Sequence, residues 1–392
     1  MNKQPIKQPI KKRTVEEFKN KGLTSTQKLE FINKFKEERG LNDVKDKEIS
    51  WYIYPEAWEE AIRLPGIPKG YFTVIRGKNN TGKSTAKIHA IIEAQRQGDL
   101  PIIYETESNF PWDHARMMGM EFEDVWGEVV DEETGEMVKK VIDHTGFFIF
   151  YDNQKLFEQY GCIDHTTGEK KSKPTRRVPV IEDIAYSMNE YRDMQEDGTI
   201  QMNIICIWDS VGSIISYKSA TAKVVNQMYD AAATNACFKG LQNNRIPSSR
   251  KETSEYFMTF LAINKIWIDN MQMGGPQVKN SSGESFAYGA RLLIHMGGIM
   301  SASVEKLKAI SVGETYYYGT QTKIKVEKNH VNDITYEGKI CCTPHGFWSP
   351  NKLELYKKTH SKYLISKLKE LSKKDINENC EIELSSEESN SD

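Results

Sequence analysis

Lys83 and Ser84 close a glycine-bounded run, Gly77-Lys78-Asn79-Asn80-Thr81-Gly82-Lys83-Ser84-Thr85. It fits G-x-x-x-x-G-K-[ST], the spacing that cradles phosphates. Glycine at 77 and 82 permits backbone angles and a close approach that a Cβ would hinder. Successive amides then converge on phosphate oxygens, and a helix starting there adds its positive dipole end. By this chemistry Lys83 reaches the β- and γ-phosphates and the Ser84 hydroxyl sits on Mg²⁺. The bland alternative is a Gly/Asn loop that only turns the chain. Taken by itself, the run implies a nucleoside triphosphate ligand.

Other residues could complete such a site. Leu100 to Tyr104 reads as a strand that ends in Glu105-Thr106-Glu107. Carboxylates at the carboxyl end of a strand beside the phosphate-loop strand face the ligand crevice of an open α/β sheet. Met202 to Trp208 is an apolar strand closed by Asp209-Ser210. An aspartate so placed holds Mg²⁺ through water. Tyr256 to Ala262 is a further buried run, ending in Asn264-Lys265. Trp267 to Ser285 follows, polar and without period, with Met271, Gln272, Met273, Gly274, Gly275, Lys279 and Gly283. A loop of that length is usually functional or disordered. His144 and His165 read as turn residues rather than as metal ligands.

Around these residues the elements are legible. Tyr71 to Arg76 is a short β-branched strand before the loop, and Ala86 to Arg96 is a helix stopped by Gly98. Pro179 to Asp197 and Asn226 to Gln242 have helical periodicity. Phe147 to Tyr151, Ala290 to Met296 and Thr315 to Lys328 supply strands, and Glu337 to Trp348 a hairpin. Leu353 to Ser372 reads as one basic amphipathic helix. Residues 121–176 look like surface insertions, with Glu169 to Arg177 a charged, exposed loop. Residues 1–13 form a basic arm with a tandem Lys-Gln-Pro-Ile, and Thr14 to Glu17 is a capping box. A helix over Thr26 to Arg39 makes 1–50 a small helical appendage. The segment 375–392 carries seven acidic residues and no Lys or Arg, so it is expected to be disordered. The expected organisation is 1–50, a core over 51–348, a C-terminal helix over 349–374, and the tail.

Composition narrows the class. The chain has 392 residues, 38% hydrophobic content and a net charge of -2. A nucleic-acid partner would therefore have to be met by local basic patches. No apolar run approaches the roughly 20 residues of a membrane span. The basic N-terminus has no apolar core behind it, so no secretory signal is expected. The 6 cysteines show no C-x-x-C pair and suit a reducing cytosol.

Together these elements resemble the RecA/RadA recombinase family and, within it, the UvsX-type recombinases of tailed phages. The likeness covers roughly 49–345. Gly66-Ile-Pro-Lys-Gly70 and the phosphate loop match the family's entry turn and P-loop, and Tyr104-Glu105-Thr106-Glu107 matches the strand bearing its catalytic glutamate. Glu107 inherits that role. His114-Ala-Arg-Met-Met-Gly119 resembles the segment that places an aromatic on adenine, so His114 is the stacking candidate. Asp209-Ser210 resembles the metal-holding pair. Ile263-Asn264-Lys265 resembles the strand end leading into DNA-binding loop 2, where bacterial RecA carries glutamine as γ-phosphate sensor; here Lys265 would meet phosphate as a charge. Ser216 to Lys223, with Lys218, corresponds to loop 1, and Trp267 to Ser285 to loop 2. Lys325-Val-Glu-Lys328-Asn-His330 resembles the strand whose two basic residues reach a neighbouring subunit's ATP. His330 replaces a permanent cation by one that titrates near neutrality.

The resemblance implies an α/β fold: a RecA-like P-loop ATPase core with a mostly parallel central sheet, a helical N-terminal appendage, a C-terminal helix and an acidic tail. It implies ATP and Mg²⁺ as cofactors and a helical homo-oligomeric filament on single-stranded DNA that pairs homologous duplex DNA. Lys218, Lys223, Met271, Gln272, Met273, Gly274, Gly275 and Lys279 are the DNA-contact candidates. A recombination mediator or single-strand-binding protein would be an accessory partner. The expected setting is the cytoplasm, that of the host cell for a phage protein. Two other readings stay open: a hexameric RecA-fold helicase, and a nucleotide-gated regulatory protein without strand exchange.

Overall fold

The computed structural model describes residues 24–40, 44–131, 135–222, 227–269, 277–280, 283–298, 304–311 and 314–372. The basic arm, the Thr14–Glu17 capping box, Lys223, Met271, Gln272, Met273, Gly274, Gly275 and the acidic tail lie outside them. The chain forms two compact units, Met1–Asp46 and Lys47–Asp392. In the first, helix Ser25–Arg39 starts at a Thr24/Gln27 capping box and stops at Gly40, φ +62°. Glycine carries that left-handed stop without strain.

The second unit is built on an 11-stranded sheet. In chain order its strands are β1 (Phe72–Gly77), β2 (Leu100–Glu105), β3 (Ile149–Tyr151), β4 (Ile204–Val211), β5 (Met258–Asp269), β6 (Gln277–Asn280), β7 (Leu292–Met296), β8 (Val304–Ser311), β9 (Glu314–Asn329), β10 (Glu337–Thr343) and β11 (Gly346–Trp348). The centre runs parallel in the order β7-β1-β5-β4-β2-β3. An antiparallel extension, β9-β10-β11 with β8, continues beyond β7, and β6 folds back on the end of β5.

The parallel strands are apolar runs because both faces are covered. Every residue of β1 and of β4 is buried. The pleat sends alternate residues to opposite layers. Ile75, Ile205 and Ile207 pack with the buried face of helix α1 (Lys83–Gln97), at Ala86, Ala90, Ile91 and Ala94. Val74, Ile204, Cys206 and Trp208 pack with Ile184 and Met188 of helix α2 (Ile181–Glu196) and with Phe238 of helix α3 (Gln227–Gly240). A smaller core joins Leu307 and Ala309 of β8 to Tyr356, Leu364 and Leu368 near the C-terminus. Burying those side chains is worth about 1.5–3 kcal/mol each for the larger ones.

Four expectations change. The C-terminal helix is two, Leu353–Thr359 and Ser361–Ser372, broken at His360, whose ring stacks on His345 with centroids 3.7 Å apart. The start of the long polar segment is ordered as sheet, because Ile266 and Trp267 in β5 pair with Asn280 and Lys279 in β6. Within the 121–176 region, strands Glu123–Val130 and Met137–Thr145 form a separate hairpin, while β3 joins the edge of the central sheet. Arg176, at the end of the loop expected to be exposed, is buried: it bonds Asp183 and donates to the Ile163 carbonyl at 2.8 Å. His165 lies 2.7 Å from the same Asp183, and His144 lies 3.0 Å from Asp124. Among the described residues no group of three His, Cys, Asp or Glu side chains could hold a metal. No described helix is long and apolar enough to cross a membrane.

Candidate functional site

Strand order creates the site. β1 lies between β7 and β5, so the chain leaves it and crosses two strands to reach β2. Ligands of open α/β sheets bind outside the carboxyl ends of strands at such a reversal. Gly77 of β1 pairs with Lys265 of β5, and Asp209 of β4 pairs with both Ile263 of β5 and Glu105 of β2. The register alone thus brings the phosphate loop, Lys265, Asp209 and Glu105 to one end of the sheet.

The phosphate loop is tightly framed. A Cβ on Gly77 would stand 2.2 Å from the Met296 carbonyl oxygen, and one on Gly82 would stand 2.2 Å from the Cys342 sulfur. Gly82 also has φ +93° and Asn80 φ +60°. Thr81 donates its hydroxyl to the Lys78 carbonyl at 2.9 Å. Lys83 donates to that same carbonyl. Burial pulls the Lys83 ammonium down to about 8, against the opposing pull of Asp209. A group held so is ready for a polyanion, whose charge would replace the water that burial removes. Beside the loop is a cavity of about 690 Å³, lined by Lys78 to Thr85 and by Val304, Lys306, Tyr317, Tyr318 and Cys342.

The acidic side is fixed by hydrogen bonds between the ends of β2 and β4. Thr106 N donates to the Asp209 carbonyl at 2.8 Å, and Trp208 Nε1 donates to Thr106 Oγ1 at 3.0 Å. Glu107 extends from that anchored end. Its Oε1 accepts from the Ser210 hydroxyl and its Oε2 lies 2.8 Å from Lys265 Nζ. Its own amide donates to Glu105 Oε1 at 3.2 Å. A carboxylate so oriented can accept a proton from, or orient, a water beside the phosphate loop. Asn264 is fully buried next to Lys265.

The remaining candidates are elsewhere. Lys328 pairs with Leu293, and Leu293 with Val74, so Lys328 stands three residues back from Gly77 with β7 between them. It bonds the Tyr288 carbonyl and does not face its own phosphate loop. Exposed His330 lies past the end of β9, held by its amide to the Arg291 carbonyl at 2.7 Å. His114 is half-buried, with Nε2 3.4 Å from the Thr343 carbonyl, and burial lowers its pKa. It does not line the cavity; the aromatic side chains there are Tyr317 and Tyr318. Lys218 Nζ sits 3.9 Å from the Tyr229 ring centroid, and Lys279 lies on β6.

Sequence reasoning passed over Lys87. Its Nζ is 2.7 Å from Glu105 Oε2 and 2.5 Å from Asp209 Oδ2, with the three side chains almost out of solvent. Burial works against its charge, and Asp209 and Glu105 outweigh it, so its pKa is raised. The signal was in the sequence. Positions 83, 87, 90, 91 and 94 form the buried stripe of α1, and a lysine in such a stripe needs carboxylate partners.

Comparison with known proteins points the same way over a limited stretch. RecA of Treponema denticola is 29% identical over 85 residues, 22% of this chain and 20% of that protein. The chain is similar to bacterial RecA proteins there. RecA of Chlorobaculum parvum is 31% identical over 87 residues, 22% of this chain and 24% of RecA. RecA of Trichodesmium erythraeum is 34% identical over 79 residues, 20% and 21% of the two chains. The matches thus span a quarter or less of these relatives' length. No family model matches the chain.

Proposed function

We propose that the chain is a DNA-dependent ATPase that assembles as a filament on single-stranded DNA and promotes homologous pairing and strand exchange, as a RecA-type recombinase of the phage UvsX kind. One observation carries the reading: Lys265 binds Glu107 at the phosphate-loop end of β5, the strand that leads into the segment 270–276. A cation between a water-orienting carboxylate and that segment can report nucleotide state along a single strand. The likeness to RecA proteins and the three-strand convergence on the phosphate loop support the assignment.

In this reading the amides of Gly77 to Thr85 cradle the triphosphate of ATP and Lys83 neutralises it. Ser84 and, through water, Asp209 are the hard oxygen ligands for Mg²⁺, a donor set that suits this ion. Mg²⁺ would offset charge on the phosphate oxygens. Glu107 orients the attacking water, Ser210 holds Glu107, and Asn264 with Lys265 sense the γ-phosphate. Lys328 and His330 would act on the next subunit's nucleotide, because Lys328 is turned away from its own. Tyr317, or His114, would stack on the base. Lys218, Lys223, Met271, Gln272, Met273, Gly274, Gly275 and Lys279 would face DNA through phosphate contacts and base wedging. The 1–50 appendage would serve assembly, and the acidic tail would compete with DNA for basic loops. The setting is the cytoplasm.

Turnover measured with and without single-stranded DNA, beside electron microscopy with ATP, tests the reading. Stimulated turnover and helical filaments are expected. Closed six-membered rings would establish a helicase instead, and turnover indifferent to DNA would establish a nucleotide-gated regulator.

A further inference from the structure

Lys87 is a buried cation lying between the metal-ligand candidate Asp209 and its neighbour Glu105. The two carboxylates are cross-strand partners on adjacent parallel strands, so they face each other by register. Two such anions in a dry site would repel, take up a proton, or capture a cation. The chain supplies the cation itself. Lys87 is one turn along α1 from Lys83, and its ammonium also lies 4.8 Å from the Phe110 ring centroid, which fixes its third side. The ammonium therefore fills the space between the two carboxylates. It also engages only one oxygen of Asp209, Oδ2. Glu105 is tied in the same way through Oε2, while its Oε1 accepts from the Glu107 amide at 3.2 Å.

We propose that Lys87 is a resident cation that makes metal binding at Asp209 conditional on bound nucleotide. With Lys87 in place, the Glu105/Asp209 pair carries one net negative charge rather than two. Ser84 as a direct ligand and Asp209 through water are then too few and too weakly charged to hold Mg²⁺ on their own. The ion arrives with the phosphates, which provide the missing oxygens. Lys87 is a positioning residue here: it acts through Asp209 and touches neither substrate nor metal. The inference rests on the nucleotide reading of the same site.

The test uses Mn²⁺ as the probe and counts bound ion by the loss of the free-ion electron paramagnetic resonance signal, a readout independent of turnover. The full-length wild-type chain is expected to bind no Mn²⁺ alone and about one per chain with ADP present. Lys87→Met is expected to bind about one Mn²⁺ per chain without nucleotide, since the carboxylate pair regains its full charge. Lys87→Arg, which keeps the cation, is expected to remain nucleotide-dependent. Wild-type protein that binds one Mn²⁺ per chain without nucleotide overturns the proposal. So does a folded Lys87→Met chain that gains no such site. Glu105→Gln decides the matter if Lys87→Met does not fold. It leaves Lys87 to act on Asp209 alone, and the Mn²⁺ concentration needed for ADP binding should rise roughly fivefold. An unchanged requirement overturns the proposal. ADP that fails to bind at any Mn²⁺ concentration counts against the nucleotide reading, and the metal-alone measurements still decide the role of Lys87.

Discussion

Replacing Arg76 by methionine tests whether the phosphate-loop strand is wired to the foot of the 270–276 segment. Arg76 immediately precedes Gly77, and its guanidinium is 2.6 Å from Glu327 Oε2 while donating to Asn280 Oδ1 at 3.1 Å. Asn280 ends β6, and His295 lies 3.2 Å from the other oxygen of Glu327. Removing one partner of a buried ion pair costs about 3–5 kcal/mol. The Glu327 side chain keeps 24% exposure and its histidine neighbour, so about 2–3 kcal/mol is the expected loss at pH 7. That corresponds to a fall in Tm of roughly 5 °C or somewhat more. The pH dependence has a definite sign. Burial alone would raise the Glu327 pKa, but His295 and Arg76 outweigh it and hold it below the usual 4.5. A lowered carboxylate pKa contributes stability that is present above its unfolded value and is lost as pH falls through the folded one. The gap between wild type and Arg76→Met should therefore be widest near neutrality and close below about pH 4.5. Thermal melts from pH 7 to pH 4 measure it. An unchanged Tm at neutral pH, or a gap that widens on acidification, refutes the reasoning. DNA-stimulated turnover should fall more than basal turnover in the same variant, because Asn280 loses its tie to the phosphate loop.

Glu107→Gln should bind nucleotide about as tightly as wild type while hydrolysis falls by about 10²–10⁴, the usual contribution of a positioned base. Lys328→Ala should spare nucleotide binding by the free chain and lose DNA-stimulated turnover; mixing it with Glu107→Gln should restore part of the activity, since some mixed contacts then hold both groups, and no recovery would place Lys328 outside the shared site. Gly82→Ala puts a Cβ 2.2 Å from the Cys342 sulfur at φ +93°; calorimetry should show a loss of about 2 kcal/mol or more in stability together with weakened nucleotide binding. Tyr317→Ala should weaken a fluorescent ATP analogue several-fold more than His114→Ala, because Tyr317 lines the cavity and His114 does not; the reverse order would return the base to His114.

The parallel strands were legible because burial on both faces leaves uninterrupted apolar runs, as in Ile204–Val211. The strand, loop and helix around Gly77 to Thr85 were legible because they depend on local backbone and adjacent residues. Pairing was less so. Nothing local says that β1 sits between β7 and β5, yet that order brings Lys265 level with Gly77 and Asp209 level with Glu105. The cavity wall was hidden for the same reason: Tyr317 and Cys342 come from the antiparallel extension, more than two hundred residues after the loop they face. Lys87 marks the boundary between the two kinds of information. Its place in the buried stripe of α1 could be read from helical period alone, and so could its need for a counter-charge. Its partners could not, because Glu105 and Asp209 reach it from two strands that only the sheet order makes neighbours. A charged residue in an apolar stripe is therefore a statement about tertiary structure made by local sequence: it says that carboxylates must converge there. Here the carboxylates are those beside the proposed phosphate site, so the lysine that satisfies them would also set the charge a metal bound there meets.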